Sequence, residues 1–509
     1  MNRGKSDQKA VVEAERAAEP ARRGFLKRAG IVAGGVITGT TLSSFVVHTA
    51  SARESDDAGQ GQRHGRPDRL ARRSHYGDPR PTPDINGNTV LALPDGFQYV
   101  TFSKTGEAFA SGLLVARNHD GMACFEGPGN TVRLIRNHEV RNAPGDFTLG
   151  VNGPANLRYD PKGTGGCMTL DFDTRRKRLV QQFISIGGTI VNCAGGWSYR
   201  NTGWITCEET TQGIKDGYEK PHGYSFFVPA SADSTVPAVP LTAMGRFSKE
   251  AAVADARGLV YETEDAGNAS GFYRFIPDRP ADLSSGKLQM LAIKGNPGAN
   301  LFGGQTVGAR LPVQWVDIHN PNPDLEAGAE SCFAQGRMQG GAAFNRLEGI
   351  FRGEDGVSIY FVSTSGGDRR GPDGEGYGQV WHYGPADAQN QKENELVLVF
   401  ESPSGSVLES PDNLCITPNG GILFCEDDAV TDADTHLLAT GIRNVNRLVG
   451  LGDKGEPFTF AVNVLNDSEF AGACFSPDGE ILFVNVFGDA APGSGMTSAI
   501  WGPWERGPF

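Results

Sequence analysis

Long hydrophobic runs, helical periodicity and histidine are all scarce in this sequence of 509 residues. Nine His are dispersed along it and no H-E-x-x-H occurs, which argues against a His-rich zinc site. There is no G-x-S-x-G nucleophile elbow and no Walker glycine loop, which excludes the corresponding serine hydrolases and P-loop nucleotide triphosphatases. The eight Cys contain no C-x-x-C and no dense framework of the small secreted kind. Basic charge is short as well, with 47 Lys and Arg against 60 Asp and Glu, a net of −13. Such a surface excludes nucleic acid and anionic membranes as partners, and an anionic substrate would need positive charge concentrated locally, as bound cations can do.

What is present begins with an address. Arg22-Arg23-Gly24-Phe25-Leu26-Lys27 is followed by a weakly apolar run from Ala29 to Val47, interrupted by Gly30, Gly34, Gly35 and Gly39, and by the small-x-small site Ala50-Ser51-Ala52. Residues 1–52 therefore read as a cleaved twin-arginine export signal rather than a stable membrane anchor, which implies a periplasmic or extracellular protein. Removing eight basic and four acidic residues with it leaves 39 basic and 56 acidic, a net of −17. Residues 53–85, polar and rich in Arg, Gly and Pro, read as a flexible leader.

Residues 86–509 carry 59 of the 69 Gly and repeat one theme: a Gly-bearing turn, a short apolar strand, then acidic or Gly residues. Pro128-Gly129-Asn130 leads to Asn137-His138-Glu139, Asn201-Thr202-Gly203 to Glu208-Glu209, and Arg257-Gly258 to Glu262-Thr263-Glu264-Asp265. Asp355-Gly356, Asn419-Gly420 and Asp478-Gly479 open three further copies. A repeat of this size made of short strands predicts an all-β, six-bladed β-propeller, with strand-end carboxylates converging on a metal cluster near the central axis. A ring of like charges is costly unless cations neutralise it.

Hard cations take carboxylate and carbonyl oxygens. Glu139, Glu208-Glu209, Glu264-Asp265, Asp412-Asn413, Glu426-Asp427 and Glu469 recur at one place in the repeat and form the candidate ligand set. Gly187-Gly188-Thr189-Ile190-Val191-Asn192-Cys193-Ala194-Gly195-Gly196 places a Cys between glycines, and a thiolate beside carboxylates is favourable only with a metal. Arg346 and Glu348, two residues apart, share one face of an extended strand, which suits either a grip on a phosphoryl group or an ordinary ion pair. Lys249 is a weaker anion contact.

These segments, with Ser270-Gly271-Phe272-Tyr273-Arg274-Phe275, Gly378-Gln379-Val380-Trp381, Ser410-Pro411-Asp412-Asn413 and Ser468-Glu469-Phe470-Ala471-Gly472, resemble the PhoX family of alkaline phosphatases. The resemblance runs from about Leu91 to the end of the chain. It implies hydrolysis of small-molecule phosphoesters, twin-arginine export, and a centre in which two ferric ions share the Cys193 thiolate while Ca²⁺ completes the cluster. It further implies Glu139, Glu208, Glu264, Glu348, Asp412, Glu426 and Glu469 as metal ligands and Arg346 as a phosphate contact. Lys249 stands where members often have His, and Trp197-Ser198-Tyr199-Arg200-Asn201 departs from their usual sequence. Both departures are expected near the pocket mouth.

The expected reaction is attack by a metal-activated oxide or hydroxide, with Cys193 and Arg346 as the catalytic groups. Nothing in the sequence implies oligomerisation, so a monomer is expected. The alternatives are a Ca²⁺-dependent propeller esterase or lactonase, with Cys193 structural, and a non-catalytic metal-binding propeller.

Overall fold

A computed structural model describes residues 75–109, 112–368, 375–387, 392–427, 436–437, 443–444, 446–452 and 455–509. The expected export signal and most of the leader lie outside them. Among the described residues the chain is almost wholly β, with a single α-helix at Cys332–Met338. No helix there is long and apolar enough to cross a membrane.

The repeated turn is a hairpin between the first two strands of each group. Gly129, Gly258, Gly356, Gly420 and Gly479 take positive φ between 67° and 93°, the conformation that favours glycine. Aspartates fix several of these turns: the Asp255 carboxylate accepts from the Arg257 and Leu259 N–H, and that of Asp355 from Val357 and Ser358. The strands that follow are buried on both faces, as in Leu482–Val486, because neighbouring sheets stack on either side.

Hydrogen bonding gives five large antiparallel sheets and one two-residue ladder. The first runs His119–Glu126, Thr131–His138, Gly165–Asp173 and Arg178–Thr189; the second runs Asn192–Trp197, Gly203–Glu208 and Ser225–Pro229. A nine-stranded sheet begins at Lys249–Ala254 and ends at Leu347–Arg352. A six-stranded sheet begins at Pro411–Ile416, and a four-stranded one at Phe470–Phe475. Separate sheets are thus fewer than the six blades expected. The reason is Arg310–Asp317, which pairs with Asp282–Ile293 on one side and Glu395–Glu401 on the other and so fuses two groups. The innermost strands His119–Glu126, Asn192–Trp197, Lys249–Ala254, Leu347–Arg352, Pro411–Ile416 and Phe470–Phe475 touch in that order and close into a ring. The architecture is a β-propeller.

The ring is closed across the chain. Gln98–Phe102 completes the sheet of Phe470–Phe475 by pairing with Met496–Trp501, while Arg80–Pro83 and Thr89–Leu93 extend the six-stranded sheet. The leader expected over 53–85 is therefore packed from residue 75 onward. Tyr76 is buried among Phe97, Phe458, Phe460, Trp504 and Phe509, its hydroxyl donating to the Trp504 carbonyl and accepting from the Phe509 N–H.

Candidate metal centre

Every inner strand carries a β-bulge just after its first paired residue, or after its second in the last strand: between His119 and Met122, Asn192 and Gly195, Lys249 and Ala252, Leu347 and Ile350, Pro411 and Leu414, and Ala471 and Cys474. A bulge re-aims a side chain that regular alternation would send elsewhere. Five of the six bulges hold a candidate ligand: Asp120, Cys193, Glu250, Glu348 and Asp412. Two residues upstream, Asn118, Val191, Arg346 and Ser410 have φ between 44° and 55°. For a β-branched residue such as Val191 this is an uncommon conformation, of the strained kind that clusters at functional sites. The neighbouring strand adds the residue just past its end. The N–H groups of Glu139, Glu209, Asp265 and Asp427 donate to the carbonyls of Asn118, Val191, Ser248 and Ser410, which pins each acid over the ring.

These positions converge on one cavity of about 380 Å³, lined by eight carboxylates (Asp120, Glu139, Glu209, Glu348, Asp412, Asp427, Glu469, Asp489) and three arginines (Arg117, Arg141, Arg346), with Cys193 on the wall. Four sets of donor atoms lie within 4.8 Å of one another: Asp120, Glu139 and Cys193; Cys193, Glu209 and Glu250; Glu250, Glu348 and Asp412; Asp412, Asp427 and Glu469. Successive sets share Cys193, Glu250 and Asp412, so cations seated in them would be bridged. Beneath the cavity an apolar axial channel runs past Met122, Ala194, Val253, Ile350 and Leu414.

The electrostatics demand positive charge. Burial, then the neighbouring carboxylates, push Glu139, Glu250, Glu348, Asp412 and Glu469 well above the ordinary range. Burial lifts Asp120 to about 7 even though the Cys193 thiol and the Gly121 N–H act to lower it. Burial and then Asp120 and Glu250 push the Cys193 thiol up. Asp120 Oδ1 and both Glu250 oxygens are buried with no hydrogen-bond partner. Two of the arginines are clamped. Arg141 contacts Glu139 and meets Glu209 at 2.5 Å, while Arg346 meets Asp265 at 3.0 Å and Glu348 at 2.7 Å. Buried, unpartnered oxygens and a thiol in shared sets fit a cluster of hard and borderline cations.

Of the residues expected from the sequence, the cavity brings together Cys193, Glu139, Glu348, Asp412, Glu469 and Arg346. Glu208, Glu264 and Glu426 lie outside it. Glu208 accepts from His222 Nδ1 at 2.6 Å and from the Ile190, Gly223 and Tyr224 N–H groups. Burial opposes charge on His222, yet flanking Glu208 and Asp160 raise it to about 9. Glu264 accepts from Tyr273 and the Gly271 N–H, and Glu426 is gripped by Arg447 through two nitrogens. In each case the acid one residue later, Glu209, Asp265 or Asp427, faces the ring instead. Asp120, Glu209, Glu250 and Asp427 complete the donor sets. Asp120 and Glu250 had one readable signal, an acid followed by a small residue at the start of an inner strand, as in Glu348-Gly349 and Cys193-Ala194. The two expected departures at the pocket mouth are not there. Lys249 is fully buried against Glu262 and the Met244 carbonyl, and Trp197 lines the axial channel, where it packs on Phe351.

Comparison with known proteins follows the same line. The family described as alkaline phosphatase PhoX matches residues 76–489. No curated protein sequence matches the chain. Among solved structures, Pseudomonas fluorescens PhoX in complex with vanadate, a transition-state analogue, is similar at 17% identity and TM-score 0.59, covering 84% of this chain and 98% of that one. A Xanthomonas campestris gluconolactonase follows at 12% identity and TM-score 0.40, covering 84% and 95%. A periplasmic gluconolactonase of Pseudomonas aeruginosa, at 12% identity and TM-score 0.30, covers 74% and 84%. The lactonase likenesses are too distant to bear on activity. With its family match spanning most of the sequence, the chain belongs to the PhoX family of alkaline phosphatases.

Proposed function

We propose that this chain hydrolyses phosphomonoesters of small molecules at a mixed iron–calcium centre, in which the Cys193 thiolate would be a ligand to the iron. Asp120, Glu139, Glu209, Glu250, Glu348, Asp412, Asp427 and Glu469 would supply the oxygen ligands. The observation that carries this reading is the run of four donor sets linked through Cys193, Glu250 and Asp412, which suits a bridged cluster better than isolated ions. Such a cluster supplies charge neutralisation for the phosphoryl oxygens and makes water a strong nucleophile at ordinary pH.

The chain's own residues do the positioning. Arg346 uses Nε and Nη2 on Asp265 and Glu348, which leaves Nη1 for a phosphoryl oxygen. Held by two carboxylates, the guanidinium is fixed before substrate arrives, so little ordering is lost on binding. The apolar lining beneath the cavity lowers the local dielectric and so strengthens the charge interactions above it. No side-chain nucleophile is required. In this reading residues 1–52 address the folded chain to the twin-arginine machinery, and it works as a monomer in the periplasm or outside the cell.

The test is elemental analysis of the purified protein together with hydrolysis of an aryl phosphate. Iron and calcium, phosphate release, loss of release with chelator and inhibition by vanadate are the expected results. Calcium without iron, and no phosphate release, would overturn the proposal.

A further inference from the structure

Among the described residues Arg117 is the arginine on the cavity wall that closes no ion pair, although its charge reaches Asp489 on the same wall and Asp146. Arg141 and Arg346 each hold two carboxylates, whereas no ion pair or hydrogen bond of the Arg117 side chain occurs among the described residues. Its Nε is buried and has no partner. An unsatisfied buried donor costs free energy unless something completes it.

The backbone beneath it is held firmly. The Arg117 N–H donates to the Leu149 carbonyl at 2.9 Å, and its own carbonyl accepts from His138 Nδ1 at 2.9 Å. The tautomer follows from the other side of the ring. Arg136 can only donate, so His138 Nε2, 3.1 Å from Arg136 Nη2, is the acceptor and Nδ1 carries the proton. Asn118, with φ at 55° and its side-chain amide donating to the Gly488 carbonyl, fixes the next residue. An arginine presented on so constrained a backbone, with its head unpaired, is built to meet an anion that arrives.

Position says which anion. In the ring of six inner strands, His119–Glu126 and Leu347–Arg352 are third neighbours in either direction, so Arg117 and Arg346 enter the cavity from opposite walls. A phosphoryl group held by Arg346 and the cluster directs the remainder of the ester toward Arg117.

We propose that Arg117 binds a second anionic group on the leaving group, so that the enzyme favours phosphoesters whose organic part carries a carboxylate or a further phosphate. This rests on the phosphatase reading above. A charge-assisted guanidinium contact stabilises by enough to change affinity about tenfold or more. The test uses the metal-loaded protein and matched pairs: phenyl phosphate against the ortho, meta and para carboxyphenyl phosphates for kcat/KM, and the corresponding non-hydrolysable phosphonates for Kd by calorimetry. The wild type is expected to prefer at least one carboxylated isomer by about tenfold in both measurements. Arg117→Gln should collapse that preference, and Arg117→Lys should restore part of it. A wild-type preference that survives Arg117→Gln would overturn the proposal, as would a wild type with no preference among the isomers. Absence of any phosphate release from the wild type would sink the phosphatase reading instead, which keeps the two failures distinguishable.

Discussion

At the scale of single residues, adjacent acids have opposite duties. Glu208 is saturated by His222 and three backbone donors, while Glu209, one residue on, lies in a donor set with Cys193 and Glu250. Glu208→Gln should cost about 3–5 kcal/mol in urea unfolding of the metal-free protein, because it strips a buried pair of one partner. Glu209→Gln should instead lower metal content and turnover, and equal stability losses in the two variants would contradict this division. Cys193→Ser should lose iron by elemental analysis while its far-ultraviolet circular dichroism is unchanged; retained iron with full turnover would refute the thiolate ligand. The sequence displayed the acid pairs Glu208-Glu209, Glu264-Asp265 and Glu426-Asp427 but not which member turns inward. The first of each pair ends a regular strand and is taken up by donors at the start of the next strand of its own sheet, and the second leaves the strand and turns over the ring. Cys193 was legible because glycines flank it, and Arg346 because Glu348 lies two residues away, although the two meet through the positive φ of Arg346 and the bulge that follows rather than through regular alternation on one strand face.

At the scale of the element, the bulge is the device that makes a propeller strand into a ligand carrier. Each bulge needs a small neighbour, since adjoining inner strands approach there backbone to backbone. A Cβ on Gly472, whose φ is 62°, would fall 2.6 Å from the Asp120 carbonyl oxygen, and one on Gly121 would fall 2.5 Å from Ala194 Cα. Gly472→Ala is expected to lower Tm by several degrees and to weaken metal binding through displaced Asp120. Unchanged Tm and unchanged metal content would show that the strands separate freely. Strand existence was readable from the turn-strand-acid repeat. Bulges were not, because one inserted residue leaves the hydrophobic pattern almost intact while reversing which face the next side chain meets.

At the scale of the molecule, charge and closure dominate. In the metal-free chain Asp120 holds a proton up to about 7, against an ordinary value of 3.8, so the folded form binds protons that the unfolded form releases between those values. Stability of the chelated protein should therefore fall as pH rises through that window, and the other raised carboxyls extend the fall upward. Thermal melts with and without chelator should diverge more at high pH than at pH 4; a gap independent of pH would mean that the acids are not the source. The packing of Tyr76 and of Arg80–Pro83 was hidden in the sequence because those residues sit among polar neighbours, and their partners, Trp504, Phe509 and the strand Thr89–Leu93, include residues more than 400 positions away. That closure also sets an order of assembly. The ring cannot shut until Met496–Trp501 has left the ribosome to meet Gln98–Phe102, and the donors span Asp120 to Glu469. The first three sets need nothing beyond Asp412, yet the ring that encloses them closes only when Met496–Trp501 is in place. Cations are thus seated after that strand has joined, and a polypeptide stalled or clipped before it would be one that cannot hold them.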